Sequence, residues 1–305
     1  MENLISKAVE SGREVLKDGA VATYIPELGK ADPGALAAAF CDIDGNTFAS
    51  GETETRITIQ SISKVASLGL AISILGEETV FSRVGVEPSA DPFNSIMRLE
   101  MRAPHRPLNP MINSGAILVL SLLPFDDGDE RLDAVLGTMR LLTANPGLDV
   151  NEEVAISERD TSDRNRSLGF FLKSVGSMEG DVENILGSYF RQCSIETTVR
   201  DLAVMGATLA AEGVNPVSGE QVFSSRTSEI LRSLMATCGL YDGSGDFAVR
   251  VGFPAKSGVG GGIAGAVRGR GGVAAVGPAL DARGNSIGGI RVLEILSNTL
   301  DLRVL

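Results

Sequence analysis

A serine and a lysine three residues apart are the pair of side chains in this sequence best spaced for covalent chemistry. Ser61 and Lys64 form its only Ser-x-x-Lys, and apolar residues follow at Ile62, Val65 and Leu68. This spacing predicts the first turn of a buried helix, on which residues i and i+3 project from one face. A lysine whose pKa is lowered by burial or by a second cation can take the serine proton and create a nucleophile. Backbone N–H groups at the helix start would favour an oxyanion there.

The same pair also has a purely structural interpretation. Ser61 would then cap the helix, and Lys64 would be a solvated residue one turn later, which is the commoner situation for an isolated Ser-x-x-Lys. The single histidine, His105, would have to serve any Ser-His-Asp triad, but it lies in a stiff loop between two prolines. We interpret His105 as a surface residue, so a base must be sought elsewhere, which favours Lys64.

Composition and charge narrow the classes of partner. The 305 residues carry a formal net charge of -12, with 43% hydrophobic and 22% charged residues, as expected for a globular protein. No basic patch offsets this charge, so nucleic acid is not an expected partner, and small neutral or zwitterionic ligands are favoured. The three cysteines, Cys41, Cys193 and Cys238, predict neither a disulfide framework nor a metal site. With no signal peptide at the start and no apolar stretch of membrane-spanning length, we expect a cytoplasmic protein.

The order of predicted elements indicates the fold class. Residues 3–17 have helical spacing, and Ala35–Asp42, a turn and Thr47–Ala49 form a strand hairpin. Helices are then predicted at Met111–Leu122, Arg131–Leu142, Ser157–Leu172, Asp181–Cys193, Thr198–Ala211 and Ser225–Cys238.

After Tyr241 the pattern changes to short strands separated by glycine-rich turns, and the chain closes with a helix at Ile287–Leu300. The predicted strands are Phe247–Val251, Gly252–Ser257, Ile263–Val267 and Gly272–Val276. The sequence therefore predicts an α/β (α+β) fold in which an antiparallel sheet is built from both chain termini, flanked by helices, with a large helical insertion. We expect one domain, 1–305, with a sheet part at about 1–60 plus 245–305 and a helical part at about 61–244.

A second motif, Lys256-Ser257-Gly258-Val259, supports a catalytic interpretation of Ser61 and Lys64. A Lys-Ser-Gly strand paired with a Ser-x-x-Lys helix resembles the serine β-lactamase and penicillin-binding superfamily. That resemblance implies that the Val259 and Ser61 amides form an oxyanion hole. The second lysine is expected to help lower the pKa of Lys64.

A wider set of motifs, which runs from about Tyr24 to the closing helix, resembles the serine-dependent glutaminases in their bacterial, catalytic-domain-only form. The segments are Gln60–Lys64, Asn109–Ile117, Asp163–Asn165, Cys193–Glu196, Cys238–Asp242 and Pro254–Val259. The resemblance implies hydrolysis of L-glutamine to L-glutamate and ammonia, with no metal and no organic cofactor. It also implies a homo-oligomer, either a dimer or a tetramer built from dimers.

The resemblance also implies residue roles. Ser61 would be the nucleophile, Lys64 its base, and Tyr241 a proton relay to the departing ammonia. The glutamine-binding positions would be Tyr24, Ser61, Asn113, Glu158, Asn165, Tyr189, Tyr241 and the backbone of Val259. All three tyrosines of the chain fall at these positions.

The chemistry of these side chains suits a free amino acid. Glu158 can pair with an α-ammonium, whereas asparagine amides and tyrosine hydroxyls can bind an α-carboxylate without adding charge. Taken singly, each residue has a plainer interpretation: Asn113 as a helix polar contact, Glu158 as a surface partner of Arg159 or Arg164, and the tyrosines as core. The alternative functions are a β-lactamase or peptidase of the same fold, because fold does not fix the reaction, and a silent amino-acid-binding protein.

Overall fold

A computed structural model of the chain describes residues 1–89, 94–101 and 103–305. The hairpin predicted near the N-terminus is present and begins the main sheet. In chain order the strands are β1 Ala37–Asp42, β2 Thr47–Gly51, β3 Ile57–Thr58, β4 Glu196–Thr197, β5 Ala255–Ser257, β6 Gly262–Val267 and β7 Gly271–Val276.

Five of these strands form one antiparallel sheet in the order β2-β1-β7-β6-β5. Strands from the two ends of the chain meet in its centre, where Ala37 of β1 pairs with Val276 of β7. The short strands β3 and β4 pair separately, with Ile57 opposite Thr197. This second pairing fixes the chain just before Ser61.

The helices cover the sheet and form the insertion between its two halves. They are α1 Glu2–Arg13, α2 Ser63–Leu75, α3 Glu77–Arg83, α4 Met97–Met101, α5 Asn113–Ser121, α6 Gly128–Thr143, α7 Glu152–Thr161, α8 Asp163–Ser174, α9 Val182–Cys193, α10 Val199–Ala210, α11 Ser225–Cys238, α12 Ser244–Arg250 and α13 Ile287–Leu300. Short 3-10 turns occur at Leu16–Asp18, Pro26–Lys30, Gln60–Ile62 and Tyr241–Gly243.

Alternation along the strands divides the core into two layers. In β1, Ala37 and Ala39 face the larger cluster that contains α10 and the inserted helices, whereas Ala38 and Phe40 face α1 and α13. Because both faces of the sheet are covered, its strands carry small or apolar residues on both sides. The predicted α/β arrangement, with an antiparallel sheet built from both termini and a helical insertion, is confirmed.

Two predicted elements are wrong. Residues Phe247–Val251, predicted as a strand, lie mainly in helix α12. Phe247 and Val251 pack in the core cluster under the sheet, whereas Val249 is 78% exposed. A strand would place all three on one face, so only a helical turn buries the first two and leaves Val249 in solvent. The predicted single helix Ser157–Leu172 is two helices, α7 and α8, separated at Ser162, whose backbone leaves the helical conformation.

Other predicted elements differ only in extent. The strand predicted at Gly252–Ser257 is limited to β5, because Gly252 has a positive φ of 81° that ends the preceding helical segment. The division of the domain into a sheet part and a helical part stays a prediction.

Among the described residues, no single helix is long and apolar enough to cross a membrane. The segments Gln60–Leu75 and Glu77–Arg83 meet the length and composition criteria only as a pair, which is bent by 120°.

Candidate active site

Ser61 lies at the point where β3 ends and α2 is about to begin. It is in the 3-10 turn Gln60–Ile62, one turn earlier than the α-helix predicted for it, and Lys64 is in the first turn of α2. The expected juxtaposition is present, because the Lys64 Nζ lies 3.0 Å from the Ser61 Oγ. Gln60 has a positive φ of 48°, an uncommon backbone conformation for a non-glycine residue. The surrounding structure must therefore hold the turn that presents Ser61.

Lys64 is fully buried and surrounded by oxygen atoms. Its Nζ contacts the Asn113 Oδ1 at 2.7 Å and the Met111 carbonyl at 3.3 Å, in addition to Ser61. Burial lowers the pKa of Lys64 to about 8, although the charges of Cys193 and Glu158 oppose this effect. A neutral amine has two N–H bonds for the two carbonyl oxygens, which leaves its lone pair to face the Ser61 hydroxyl. The arrangement suits a lysine that accepts the serine proton.

The cavity above this pair brings together most of the predicted binding residues. It has a volume of about 80 Å³. The predicted residues that line it are Tyr24, Ser61, Asn113, Glu158, Asn165, Tyr189 and Val259. Asn113 links the base to the far end of the cavity, because its Nδ2 donates to the Asn165 Oδ1 at 2.9 Å. Tyr189 is 2% exposed, whereas Tyr24 is 55% exposed, so Tyr24 contributes to the rim of the cavity.

Glu158 places a carboxylate inside this cavity. It is 5% exposed, and its Oε2 has no hydrogen-bond partner among the described residues. Burial raises the pKa of Glu158 to about 8, and the Lys64 charge opposes the shift. The plainer interpretation of Glu158 as a surface partner of an arginine is not favoured. Arg159 pairs with Asp160 at 3.0 Å, and the Arg164 Nε donates to the Asn94 carbonyl at 2.9 Å.

The turn that follows β5 brings the Val259 backbone beside Ser61. A Cβ atom at Gly258 would collide with the Ile59 carbonyl oxygen, and one at Gly260 would collide with that of Thr58. Glycine at both positions therefore allows this segment to lie directly against the chain that leads into Ser61. The two backbone segments expected to supply oxyanion-hole amides are adjacent.

Tyr241 reaches the site from the turn after α11. It is 6% exposed, and its hydroxyl donates to the Ser257 carbonyl at 3.4 Å. Burial raises the pKa of Tyr241 to about 12, while hydrogen bonding with Ser61 and Ser257 opposes the rise. The tyrosine hydroxyl is therefore protonated at neutral pH and is in contact with the proposed nucleophile.

Several groups at the site had no signal of their own in the sequence. The Met111 carbonyl oxygen binds Lys64 through the backbone, and Gln60 and Cys193 line the cavity without having been predicted as site residues. Gln60 and Cys193 are the first residues of the segments Gln60–Lys64 and Cys193–Glu196, and that membership is the signal that could have indicated them. Burial and the Glu158 charge raise the pKa of the Cys193 thiol, which favours its protonated, less reactive form.

Two other residues of types common in catalytic sites, Ser286 and His105, make structural contacts. Ser286, which lies in a Gly-x-Ser-x-Gly sequence, caps α13, and its Oγ accepts from the Gly289 N–H at 3.0 Å. His105 is in a loop as predicted, and its ring packs edge-on against Phe171. Within the described ranges, no three His, Cys, Asp or Glu side chains are grouped so that they could hold a metal ion. The expectation that no metal or organic cofactor is needed stays a prediction.

Known proteins resemble the chain over its whole length. The family model described as Glutaminase matches residues 19–305. A glutaminase of Clostridium tetani (strain Massachusetts / E88) is 49% identical, covering 100% of this chain and 99% of that protein. A glutaminase of Clostridium botulinum (strain Loch Maree / Type A3) is 47% identical, covering 100% of both.

Among solved structures, the chain is similar to the Bacillus subtilis glutaminase in its covalent complex with 5-oxo-L-norleucine, formed by reaction with 6-diazo-5-oxo-L-norleucine. The TM-score is 0.91 and the identity 35%, over 100% of this chain and 99% of that one. The predicted β-lactamase-like fold class is thereby confirmed. From the family match and the identity over the full length, the chain belongs to the glutaminase family.

Proposed function

We propose that the chain hydrolyses the side-chain amide of L-glutamine through a Ser61–Lys64 dyad and a covalent glutamyl-enzyme. As a member of the glutaminase family it is a hydrolase that acts on glutamine, so the proposal concerns the residues and the steps. One observation supports it above the others: the Ser61 Oγ lies 3.0 Å from a fully buried lysine amine, at the base of a cavity.

The first half of the reaction forms the covalent intermediate. Neutral Lys64 takes the Ser61 proton, and the Ser61 oxygen forms a bond with the carboxamide carbon of glutamine. The negative charge that develops on the amide oxygen is stabilised by the Ser61 and Val259 N–H groups. Tyr241 relays the proton from Lys64 to the amide nitrogen, the carbon–nitrogen bond breaks, and ammonia leaves.

The second half releases glutamate. A water molecule loses a proton to Lys64 and attacks the ester carbon, and the same two N–H groups stabilise the oxyanion. The bond to the Ser61 oxygen then breaks, and the serine takes back the proton from Lys64. The enzyme returns to its starting state with water as the only other reactant.

Side chains that line the cavity are proposed to bind the charged groups of the substrate. We assign the α-ammonium to Glu158, whose carboxylate is buried with an unpartnered oxygen. We assign the α-carboxylate to the amides of Asn113 and Asn165 with the tyrosine hydroxyls of Tyr24 and Tyr189, which add no charge. The covalent complex of the Bacillus subtilis glutaminase with a norleucine derivative supports a nucleophilic mechanism at a site that accepts a free amino acid.

Glu158→Gln tests the assignment of the ammonium site. The change keeps the size of the side chain but removes the charge, and loss of a charge-assisted bond in a desolvated site costs about 2–4 kcal/mol. We therefore expect kcat/KM for glutamine to fall by about 30- to 1000-fold. The matched control is Glu153→Gln, which removes an exposed carboxylate from the same helix and should leave kcat/KM unchanged.

Labelling separates loss of substrate binding from damage to the dyad. A small serine-directed acylating reagent without an amino group should label Glu158→Gln as fast as the wild type. Unchanged glutamine turnover in Glu158→Gln would show that the carboxylate does not bind the ammonium. An equal collapse of labelling would show that the substitution has disturbed Ser61 or the fold, and the assignment would lose its support.

One assay distinguishes the proposed glutaminase activity from the two alternative functions, a β-lactamase and an amino-acid-binding protein. Ammonia release is measured on glutamine and on asparagine, beside the hydrolysis of a chromogenic β-lactam. Our proposal expects release from glutamine and no turnover of the β-lactam. Turnover of the β-lactam alone would favour the β-lactamase alternative, and binding of glutamine without turnover would favour an amino-acid-binding protein.

We further propose that the protein is a cytoplasmic homo-oligomer, either a dimer or a tetramer built from dimers. The support is the family membership, together with apolar side chains that remain on the surface, such as Phe170 at 52% exposure and Val249 at 78%. Sedimentation velocity across working concentrations is expected to give the mass of two or four chains. A single species at 31.9 kDa would contradict the proposal.

A further inference from the structure

A second buried lysine, Lys256, lies next to the proposed catalytic groups and transfers no proton in the reaction described above. It lies in β5, is 0% exposed, and its strand leads within three residues to Val259. Burying an amine is unfavourable unless its N–H bonds find acceptors, so its contacts indicate what it does.

Three groups surround the Lys256 Nζ. It donates to the Gly239 carbonyl at 2.7 Å and to the Ser257 carbonyl at 2.7 Å, and it lies 4.3 Å from the centre of the Tyr241 ring. Two carbonyl oxygens and an aromatic face match the three N–H bonds of an ammonium. Burial and the Lys64 charge lower the pKa of Lys256, and the Cys238 charge opposes this effect.

These contacts belong to the two segments that must meet at Ser61. Gly239 is two residues before Tyr241, and Ser257 is two residues before Val259. The segments also touch directly: the Ser257 N–H donates to the Gly239 carbonyl at 3.2 Å, and a Cβ atom at Gly239 would collide with the backbone of β5. Lys256 thus joins the turn that carries the tyrosine to the segment that carries the oxyanion-hole amide.

The backbone of Tyr241 needs such support. Its φ of 57° is unfavourable for a bulky side chain and persists only where neighbouring contacts hold it. Ser244 holds the turn from one side, because its Oγ accepts from the Leu240 N–H at 3.0 Å and donates to the Tyr241 carbonyl at 2.9 Å. On the other side, Lys256 covers the ring face and binds the turn at Gly239.

We propose that Lys256 is a positioning residue, which holds the Tyr241 hydroxyl and the Val259 amide at Ser61 by binding both segments that carry them. The inference rests on the proposed function and adds to it a residue that transfers no proton and contacts no substrate. Because its effect is on the placement of groups that act in the transition state, its loss should lower kcat while leaving glutamine binding intact.

Lys256→Met and Lys256→Gln test this role. Both are assayed with glutamine well below their unfolding temperatures, and kcat is expressed per active site labelled by 6-diazo-5-oxo-L-norleucine. We expect kcat of Lys256→Met to fall about 100-fold, the size of effect caused by misplacing a catalytic group by about 1 Å. KM should change by less than about threefold. Lys256→Gln should retain more activity than Lys256→Met, because its amide N–H groups can still donate to a carbonyl.

Arg232→Met is the matched control. Arg232 is also a buried cation, 7% exposed, that donates to a backbone carbonyl, that of Leu209, but it lies outside the cavity. Arg232→Met should lower thermal stability and leave kcat unchanged. If the Lys256 variants behave in the same way, Lys256 has only a structural role and the inference is wrong. A raised KM with unchanged kcat would also overturn it, by showing a role in binding.

The two proposals fail in distinguishable ways. A wild-type protein without activity on glutamine would contradict the proposed function itself. An active wild type with unchanged kcat in the Lys256 variants would contradict only the positioning role. If Lys256→Met does not fold, Lys256→Gln decides the question, because wild-type kcat in that folded variant would overturn the inference.

Discussion

Ser61→Ala is expected to lower kcat for glutamine by more than about 1000-fold, because the substitution removes the only atom that forms a bond with the substrate in the proposed reaction. The fold should persist, since one hydroxyl is lost and the Lys64 Nζ keeps its contacts with the Asn113 Oδ1 and the Met111 carbonyl. Weak binding of glutamine should also survive, because Glu158 is unchanged. Ammonia release measures the first effect and calorimetry the second.

Covalent labelling makes the Ser61 test independent of turnover. Wild-type protein treated with 6-diazo-5-oxo-L-norleucine should gain one adduct by mass spectrometry, on the peptide that contains Ser61, and Ser61→Ala should gain none. The matched control is Ser67→Ala, a buried serine of α2, the helix that follows the Ser61 turn, whose Oγ contacts only backbone carbonyls in the described structure, those of Ser63 and Lys64. It should keep both activity and labelling. A Ser61→Ala protein with more than about a thousandth of wild-type kcat would show that another group is the nucleophile.

Lys64→Arg is expected to be nearly inactive at every pH, because arginine stays protonated and cannot accept the serine proton. Lys64→Met should be inactive as well, since it fills similar space without a base. The methionine variant matters because arginine is larger than the space around a fully buried lysine and could disturb the fold. Substantial activity in either folded variant would exclude Lys64 as the base.

The pH dependence of the wild type tests the same role without a substitution. Lys64 must be neutral to act and its pKa is about 8, so kcat should rise as pH increases through this region and level off above it. Glu158 must be charged to hold the ammonium, and its pKa is also about 8. Below pH 8, kcat/KM should therefore fall because both Lys64 and Glu158 become protonated. The logarithmic slope of kcat/KM should therefore approach two on the acid side. Removing the Glu158 carboxylate should reduce that slope to one, and a flat profile would contradict both assignments.

The chain order and the spacing of residues determined those features that depend on local backbone geometry. The Ser61–Lys64 contact follows from an i, i+3 spacing in a helical turn, which places the two residues on one face of that turn. The hairpin of β1 and β2 follows from alternating residues around a short turn, and α11 and α13 lie where apolar periodicity and capping residues predict them. These elements needed no information from distant parts of the chain.

Local patterns failed where packing chose between two acceptable conformations. Residues 247–251 contain enough apolar and β-branched residues for a strand, but burial of Phe247 and Val251 with Val249 exposed is possible only in a helix. Periodicity likewise continues across Ser162, although the chain turns there and begins α8. In both cases the free energy of burial in the tertiary structure outweighs the small local preference.

The chemistry of the site was decided by tertiary structure. Resemblance to a family could name Asn113 and Glu158, but no pattern gives the 2.7 Å contact between Lys64 and a side chain 49 residues away. Nor does a sequence show that Lys64 and Lys256 are both fully buried, or that Lys256 joins the Tyr241 turn to the Val259 segment. Desolvation depends on every atom packed around a group, and desolvation is the main cause of the lowered pKa of Lys64. The sequence by itself therefore determined which serine and lysine stand together, and only the folded chain decided that this lysine can act as a base.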